Sequence, residues 1–328
     1  MRLQKKIIIN KNLNELNSLR IAVKSRYFIE CKSDKDLDLA FNFIKQNKLK
    51  FVILGEGTNV VFRKDFDGIV IKNLYKKEKK ITNDNVKISS GYNWDKFVLY
   101  CLKNSLFGLE NLSGIPGTVG AGPIQNIGAY GEEISNYVKH VEVFNFADGN
   151  TEILNNKNCD FSYRGSFFKK NNHLFIKNIF FKLDKKFIPK NSYEDLRNFK
   201  FTKAFEIRKK ILEIRNKKLE NYKVNPNVGS FFKNPLMNKN EFKSLRVLEP
   251  KVKFYNQDSL IKISAAWLIE NSGLKGFNFY KARVSNRHSL VLINEDKAPD
   301  SILKLRTKIK NFVKKKYKIK LEEEPTII

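Results

Sequence analysis

An α+β fold is the class this sequence predicts, on three observations. Short β-branched and aromatic runs read as strands, apolar residues recur at helical intervals between some of them, and the two kinds of segment follow no regular βα alternation. With 328 residues the chain can form roughly two or three packed units. Hydrophobic residues at 41%, among them 27 Phe, supply an interior, which excludes a disulfide-stapled miniature and a chain disordered throughout.

Taken in order, Ser33 starts a helix by capping its first free amides, and Leu37, Ala40, Phe41 and Ile44 follow on one face. Residues 51–54 read as a buried strand and residues 68–71 as another. Residues 86–89 add a strand, and Trp94, Phe97, Val98 and Cys101 fall at i, i+3, i+4 and i+7 of a helix. Two strands, 141–144 and 151–154, flank Asp148-Gly149 as a hairpin, and 174–183 is strand again. From about Lys200 the pattern becomes a long amphipathic helix, with Ala204, Ile207, Ile211 and Ile214 inward and Arg208 to Lys218 as a basic outer face. After a loop ending in Asn234-Pro235, a helix starts at Ser264 and stops at Gly273. Residues 288–293 are a strand candidate. Asp300 caps a last helix carrying Ile302, Leu305, Ile309, Phe312 and Val313, and 317–321 returns to β.

Lys+Arg 63 against Asp+Glu 34 leaves a net charge of +29, which steers polyanions toward the surface. The lysines are spread through nearly every segment, the pattern of a solvated surface, so no nucleic-acid partner is expected. Cys31, Cys101 and Cys159 form no CxxC pair, and His140, His173 and His288 are scattered, so no metal site is expected and a reducing cytoplasm fits. The chain begins with basic residues, but Ile7-Ile8-Ile9 is too short for a signal-peptide core, and no 18-residue apolar run spans a membrane.

Chemistry concentrates in glycine. Gly55-Glu56-Gly57-Thr58-Asn59 follows a strand, where glycines let backbone amides approach an anion. A Rossmann fingerprint would need glycine at position 60, where Val60 stands, and a helix after it; a tight β-turn explains the same residues. The second loop is denser: Gly114, Gly117, Gly120, Gly122, Gly128 and Gly131 place six of the 16 glycines within 18 residues. Ile115-Pro116, Pro123-Ile124 and Ile127 are too apolar and stiff for a linker, so the run implies backbone held close against something flat or anionic. Together the loops suggest a dinucleotide held by main-chain amides of β-turns.

Those two loops, the second reading SGIPGTVGAGPIQNIGAYG over 113–131, together with Gly229-Ser230-Phe231-Phe232-Lys233-Asn234-Pro235, closely resemble the UDP-N-acetylenolpyruvoylglucosamine reductase family. The likeness runs from about Asn17 to Glu324 and includes the form with an extra substrate-covering Tyr loop. It implies an FAD-binding unit of the vanillyl-alcohol-oxidase (PCMH) type in two lobes, 1–74 and 75–200, followed by a substrate-binding domain, 201–328. It also implies reduction of UDP-N-acetylglucosamine enolpyruvate to UDP-N-acetylmuramate in peptidoglycan precursor synthesis, by a ping-pong cycle in which NADPH reduces FAD and leaves before the substrate enters. None of the three histidines lies in a glycine loop, so the FAD is expected to be non-covalent. A cytoplasmic monomer is expected.

Residue by residue, the resemblance assigns cofactor binding to Gly55, Glu56, Gly57, Thr58, Asn59, Ser113, Gly114, Ile115, Pro116, Gly117, Gly120, Gly122, Gln125, Asn126 and Gly128. Arg164 matches the arginine that stabilises negative charge on the substrate carboxylate, for which a guanidinium offers two parallel hydrogen bonds. Ser230 matches the serine that delivers the final proton, and Glu324 the C-terminal catalytic carboxylate. Glu322-Glu323-Glu324 leaves a register shift of one residue open, and Thr326 stands where the family often has arginine. Substrate contacts fall to Tyr130, Tyr163, Tyr193, Asn234, Lys275 and Lys218, with Lys217 an alternative to the last.

Overall fold

The computed structural model describes residues 6–257 and 259–328; the basic opening, residues 1–5, and Asp258 lie outside the described residues. The chain divides into two compact units. The first takes residues 6–11, 25–56 and 66–215, and the second takes 12–24, 57–65 and 216–328.

In the first unit, a four-stranded sheet runs in the order Ile8–Asn12, Lys24–Cys31, Phe66–Asn73, Phe51–Leu54. Phe66–Asn73 is parallel to both neighbours, and the helix Asp34–Asn47 buries Leu37 and Ala40 completely. Ser33 sits at the start of that helix but does not cap it. Its hydroxyl donates to Asp36 at 2.8 Å, and the Asp36 carboxylate accepts the Lys32 amide at 3.0 Å. The acidic Asp36 in the first turn thus ties the chain entering the helix and complements its positive end, without capping the first free amides.

A five-stranded antiparallel sheet follows, ordered Thr151–Asn155, Val138–Asn145, Leu174–Lys182, Asn85–Ser89, Lys79–Thr82. The expected hairpin pairs Val143 with Glu152 and Phe144 with Thr151. The helix Trp94–Lys103 presents Trp94, Phe97, Val98 and Cys101 to this core, with the Phe97 and Phe181 rings 5.1 Å apart. Burial holds all three cysteines protonated, Cys159 being pushed up to about 12.

The long helix runs Ala204–Lys218, and its basic face is not wholly outward. Arg208 is buried and forms a bidentate pair with Asp95, at 2.6 and 2.7 Å. Helical spacing accounts for the correction, since Arg208 lies between Ala204 and Ile211 on the buried stripe.

The second unit has smaller sheets. One is ordered Leu236–Met237, Leu260–Ile263, Phe254–Gln257, and another Asn278–Phe279, Ala282–Val284, Leu292–Asn294. Ser264 caps Ala265–Glu270 as expected, its hydroxyl accepting from the Trp267 amide. The helix Lys239–Leu248, absent from the sequence reading, has a complete capping box of Asn238 and Glu241. The last helix, Pro299–Tyr317, starts with Pro299 after Ala298, so Asp300 lies in the first turn and is not the cap. Ile302, Leu305, Ile309 and Val313 are buried, whereas Phe312 is exposed. The helix also extends over Tyr317, and the only later strand, Thr326–Ile327, pairs in parallel with Val60–Val61. The expected strand at 288–293 shrinks to Leu292–Asn294.

Candidate active site

The start of the first glycine loop, Gly55-Glu56, meets the second loop inside the first unit. A Cβ at Gly55 would stand 2.9 Å from Thr118 Oγ1, and Asn93 Nδ2 bridges them, donating to Glu56 at 2.8 Å and to the Gly117 carbonyl at 3.4 Å. Lys72 Nζ donates to the Gly55 carbonyl, and burial draws its pKa down. Thr118 Oγ1 is buried and has no hydrogen-bond partner among the described residues. A hydroxyl left unsatisfied at this junction fits a ligand rich in phosphate oxygens, so these loops suit the FAD that their sequence implies.

Other residues of the second loop are engaged within the protein. Ser113 Oγ donates to the Glu110 carbonyl at 2.6 Å. A Cβ at Gly114 would strike Leu212, 2.8 Å away, and that glycine has φ +72°. Here the left-handed backbone requires glycine, and the loop packs against Leu212 and Arg215 of the helix Ala204–Lys218. Ile115 is half-buried and Pro116 exposed, whereas Gly117, Gly120 and Gly122 are buried; Gln125 and Gly128 are half-buried.

The same loop grips the turn that carries Arg164. Asn126 Nδ2 donates to Glu133 at 2.7 Å and to the Ser162 carbonyl at 3.2 Å; Ser166 Oγ donates to the Ile124 carbonyl at 2.7 Å. Ser162 and Gly165 exchange main-chain bonds of 3.1 Å, closing a tight turn with Tyr163 and Arg164 at its tip. Arg164 Nη2 donates to the Gly128 carbonyl at 2.9 Å, and its guanidinium lies 5.3 Å from the Tyr163 ring. Tyr130 stands two residues beyond Gly128, its ring edge-on to Tyr193 with centroids 5.6 Å apart. Both Tyr130 and Arg164 have left-handed backbone, φ +50° and +54°, a strained state that structures retain at sites over-determined by their surroundings.

Beside this loop lies a charged cluster that sequence reasoning missed. Asp95 Oδ1 accepts the Gly114 amide at 2.6 Å while holding Arg208, and Arg215 packs against Gly114, where a Cβ would be 3.1 Å from its Nε. Burial alone would raise the Asp95 carboxyl, but Arg208, the Gly114 amide and Arg215 hold it below the usual carboxylate range. Burial lowers the Arg215 pKa, against the opposing influence of Tyr130 and Asp95. Arg208 and Arg215 continue the stripe of Ala204, Ile207 and Ile211, and that spacing was the available signal.

The second unit holds a different group. Residues 230–233 run as extended chain between two partners: Ser230 bridges Val291, and Phe232 bridges Glu323. The Phe231 amide donates to the Leu290 carbonyl at 2.8 Å, and the Glu324 amide to the Phe231 carbonyl at 2.9 Å. Ser230 and Glu324 thus flank one main-chain junction. Asn59, from the first glycine loop, belongs here too, its carbonyl accepting the Thr326 amide at 3.0 Å. Gly57 and Thr58 precede it, the Gly57 carbonyl accepting the Ser18 amide at 2.9 Å. Glu322 is paired with Lys233 at 3.2 Å, and Glu323 with Lys310 at 2.7 Å. Asn234 Oδ1 accepts the Ala265 amide at 2.9 Å, fixing the start of a helix. Lys275 is bonded to Glu270 at 2.9 Å, and Lys218 is exposed at the end of its helix.

Comparison with known proteins finds matches to both parts of the chain. An FAD binding domain matches residues 25–155, and a UDP-N-acetylenolpyruvoylglucosamine reductase C-terminal domain matches residues 219–328. The UDP-N-acetylenolpyruvoylglucosamine reductase of Buchnera aphidicola subsp. Baizongia pistaciae is 37% identical over 97% of this chain and 98% of its own length. That of Aliivibrio fischeri is 38% identical over 97% of this chain and 93% of its own length. Among solved structures, UDP-N-acetylenolpyruvylglucosamine reductase from Thermus caldophilus superposes with a TM-score of 0.70 at 20% identity, covering 98% of this chain and 97% of the other, which establishes the shared fold.

Proposed function

The chain belongs to the UDP-N-acetylenolpyruvoylglucosamine reductase family, and on that premise we propose how its residues divide the work. It is an FAD-dependent oxidoreductase that reduces UDP-N-acetylglucosamine enolpyruvate to UDP-N-acetylmuramate in peptidoglycan precursor synthesis, with NADPH as reductant. When bound, FAD supplies hydride transfer from NADPH to the methylene carbon of the enolpyruvyl group.

In this reading the cofactor unit comprises two lobes of the vanillyl-alcohol-oxidase type, 1–74 and 75–200, with 201–328 as the substrate-binding domain; the compact units cut across these bounds, 12–24 and 57–65 falling with the second and 204–215 with the first. Main-chain groups of 55–59 and 113–128 hold the cofactor, and Thr118 adds its unsatisfied hydroxyl. Arg164 receives the substrate carboxylate, where charge grows as hydride adds, and its forked donors match that group better than a lysine would. Ser230 gives its hydroxyl proton to the carbon next to the carboxylate, and Glu324 is the second acid–base group. Tyr130, Tyr163 and Tyr193 contact the substrate; Lys218, Lys275 and Asn234 take its diphosphate and nearby polar groups.

The observation that most supports these roles is the set of bonds from the glycine loop to the Arg164 turn, through Asn126, Gly128 and Ile124. A loop fitted for a dinucleotide and an arginine fitted for a carboxylate are held as one piece. No helix among the described residues is long and apolar enough to cross a membrane. We further propose, from the family resemblance, that the enzyme works in the cytoplasm as a monomer. Purified protein will be yellow and will oxidise NADPH only when the enolpyruvyl nucleotide is supplied. Colourless protein that cannot be reconstituted with FAD would overturn the reading.

A further inference from the structure

The segment between the strand Leu174–Lys182 and the helix Ala204–Lys218 contains no regular strand or helix, yet it carries Tyr193. Its order must come from a few anchors, because each fixed residue costs conformational entropy with no ladder to offset it. Leu196 is one: fully buried, it packs with Ile207 and Ile211, the cluster against which Tyr130 also rests.

The other anchor is polar and lies on the opposite side of Tyr193. Lys190 Nζ donates to Tyr137 Oη at 2.6 Å and to Glu132 Oε2 at 3.2 Å, and Tyr137 Oη donates to the same oxygen at 2.6 Å. Asn136 Nδ2 is a further donor to that oxygen, at 3.2 Å. The Glu132 side chain is only 10% exposed, so this carboxylate has exchanged water for those donors. Asn111, itself buried, ties the main chain at the same point, its Nδ2 donating to the Lys190 carbonyl at 2.7 Å and to the Tyr130 carbonyl at 2.9 Å. Two neighbouring turns are thereby joined: 130–137 supplies Tyr130, Glu132 and Tyr137, and 190–196 supplies Lys190, Tyr193 and Leu196.

We propose that Glu132 and Lys190 are positioning residues for the nucleotide-sugar substrate. With Asn111 they form a clasp that holds the 190–196 segment, and so Tyr193, against Tyr130 before the substrate arrives. The inference rests on the reading of Tyr193 as a substrate contact. Its physical content is pre-organisation: a segment already ordered spares the substrate the cost of ordering it, so the clasp lowers KM and leaves the chemical step alone.

The test uses the holoenzyme. Hydrogen exchange of the substrate-free protein will show residues 190–197 protected, with protection falling roughly ten-fold in Lys190→Met and in Glu132→Gln. In steady state both variants will raise KM for UDP-N-acetylglucosamine enolpyruvate by roughly three- to ten-fold, with kcat and the rate of flavin reduction by NADPH unchanged. Lys190→Arg will restore both readouts, and the Glu132→Gln/Lys190→Met double variant will be no worse than either single one. An unprotected segment in the parent enzyme overturns the clasp. So does a Lys190→Met enzyme that loses protection but keeps its KM while Tyr193→Ala raises it. If Tyr193→Ala leaves KM unmoved, the reading of Tyr193 as a substrate contact fails, and the exchange data still decide whether the clasp exists.

Discussion

In the first unit, Tyr130 and Arg164 stand on turns with left-handed backbone and are fastened largely by side chains, those of Asn111, Asn126 and Ser166 among them. In the second, Ser230 lies on extended chain and Glu324 opens the bend after a bridged residue, both fastened by main-chain bonds to 290–291 and to each other's neighbours. A main-chain fastening survives substitution of the residue it carries, because the bonds belong to the peptide groups. A side-chain fastening fails with a single residue, and the strained φ then has nothing to hold it. Substitutions in the second unit should therefore separate chemistry from architecture cleanly, whereas those in the first should disturb both.

Ser230→Ala is expected to give the largest effect. It should slow the half-reaction with the enolpyruvyl substrate by about 10²–10⁴-fold, the usual scale of a lost proton donor, and leave NADPH-driven flavin reduction within about two-fold of the parent. Stopped-flow measurement of the two half-reactions decides it; equal losses in both would assign Ser230 an architectural role. Arg164→Lys comes next, at about 10²-fold in the same half-reaction, because a single ammonium cannot reproduce two parallel donors. In contrast to Ser230→Ala, it also removes the donor to the Gly128 carbonyl, so a lowered thermal midpoint should accompany it.

The legibility of the molecule follows the same division. Periodicity revealed the helices of the first unit and its inner strands, where Leu37, Ala40 and Ile44, or Trp94, Phe97 and Val98, fall as the pattern puts them, but it missed the strands Ile8–Asn12, Lys24–Cys31 and Lys79–Thr82, whose many charged residues blur the alternation. The short strands of the second unit, some of two residues, leave too little pattern to read, and the helix over Tyr317 was taken for β because its apolar residues ran on past its basic turn. Glycine density marked the loops, but only the structure separates Gly114, needed for its left-handed backbone, from the junction at Gly55 and Thr118. Pairing across distance was hidden altogether. Asp95 and Arg208 are 113 residues apart, and nothing local to either announces the other.

Asp95→Asn measures how much the first unit depends on such a side-chain tie. It should destabilise the protein by about 1–2 kcal/mol at neutral pH, because Arg208 is left buried beside a weaker acceptor. The sign with pH is fixed by the depressed carboxyl: its contribution is fully present above the unfolded value of about 3.9 and is lost as pH falls through the lower folded value. Denaturant melts of the two proteins should thus converge on acidification below about pH 4. A gap that persists to lower pH would mean that the asparagine disturbs the Gly114 turn by shape rather than charge.

The smallest effects concern the three consecutive glutamates, each of which has a different environment. Glu322 is exposed and pairs with Lys233, so Glu322→Gln should alter stability by less than about 0.5 kcal/mol and leave turnover unchanged. Glu323 faces Lys310 and Arg306 of the last helix. Burial would raise its carboxyl, but the Lys310 bond and both positive charges hold it low, so Glu323→Gln should cost about 1 kcal/mol of stability. Glu324, which donates its amide to Phe231 beside Ser230, should be the one whose Gln variant loses turnover while folding normally. Glu323 bridges Phe232 while Glu324 opens the bend that follows, so a shift of register would exchange these outcomes. Turnover lost in Glu323→Gln and retained in Glu324→Gln would move the catalytic assignment by one residue, and paired melting and kinetic measurements on the three variants distinguish the cases.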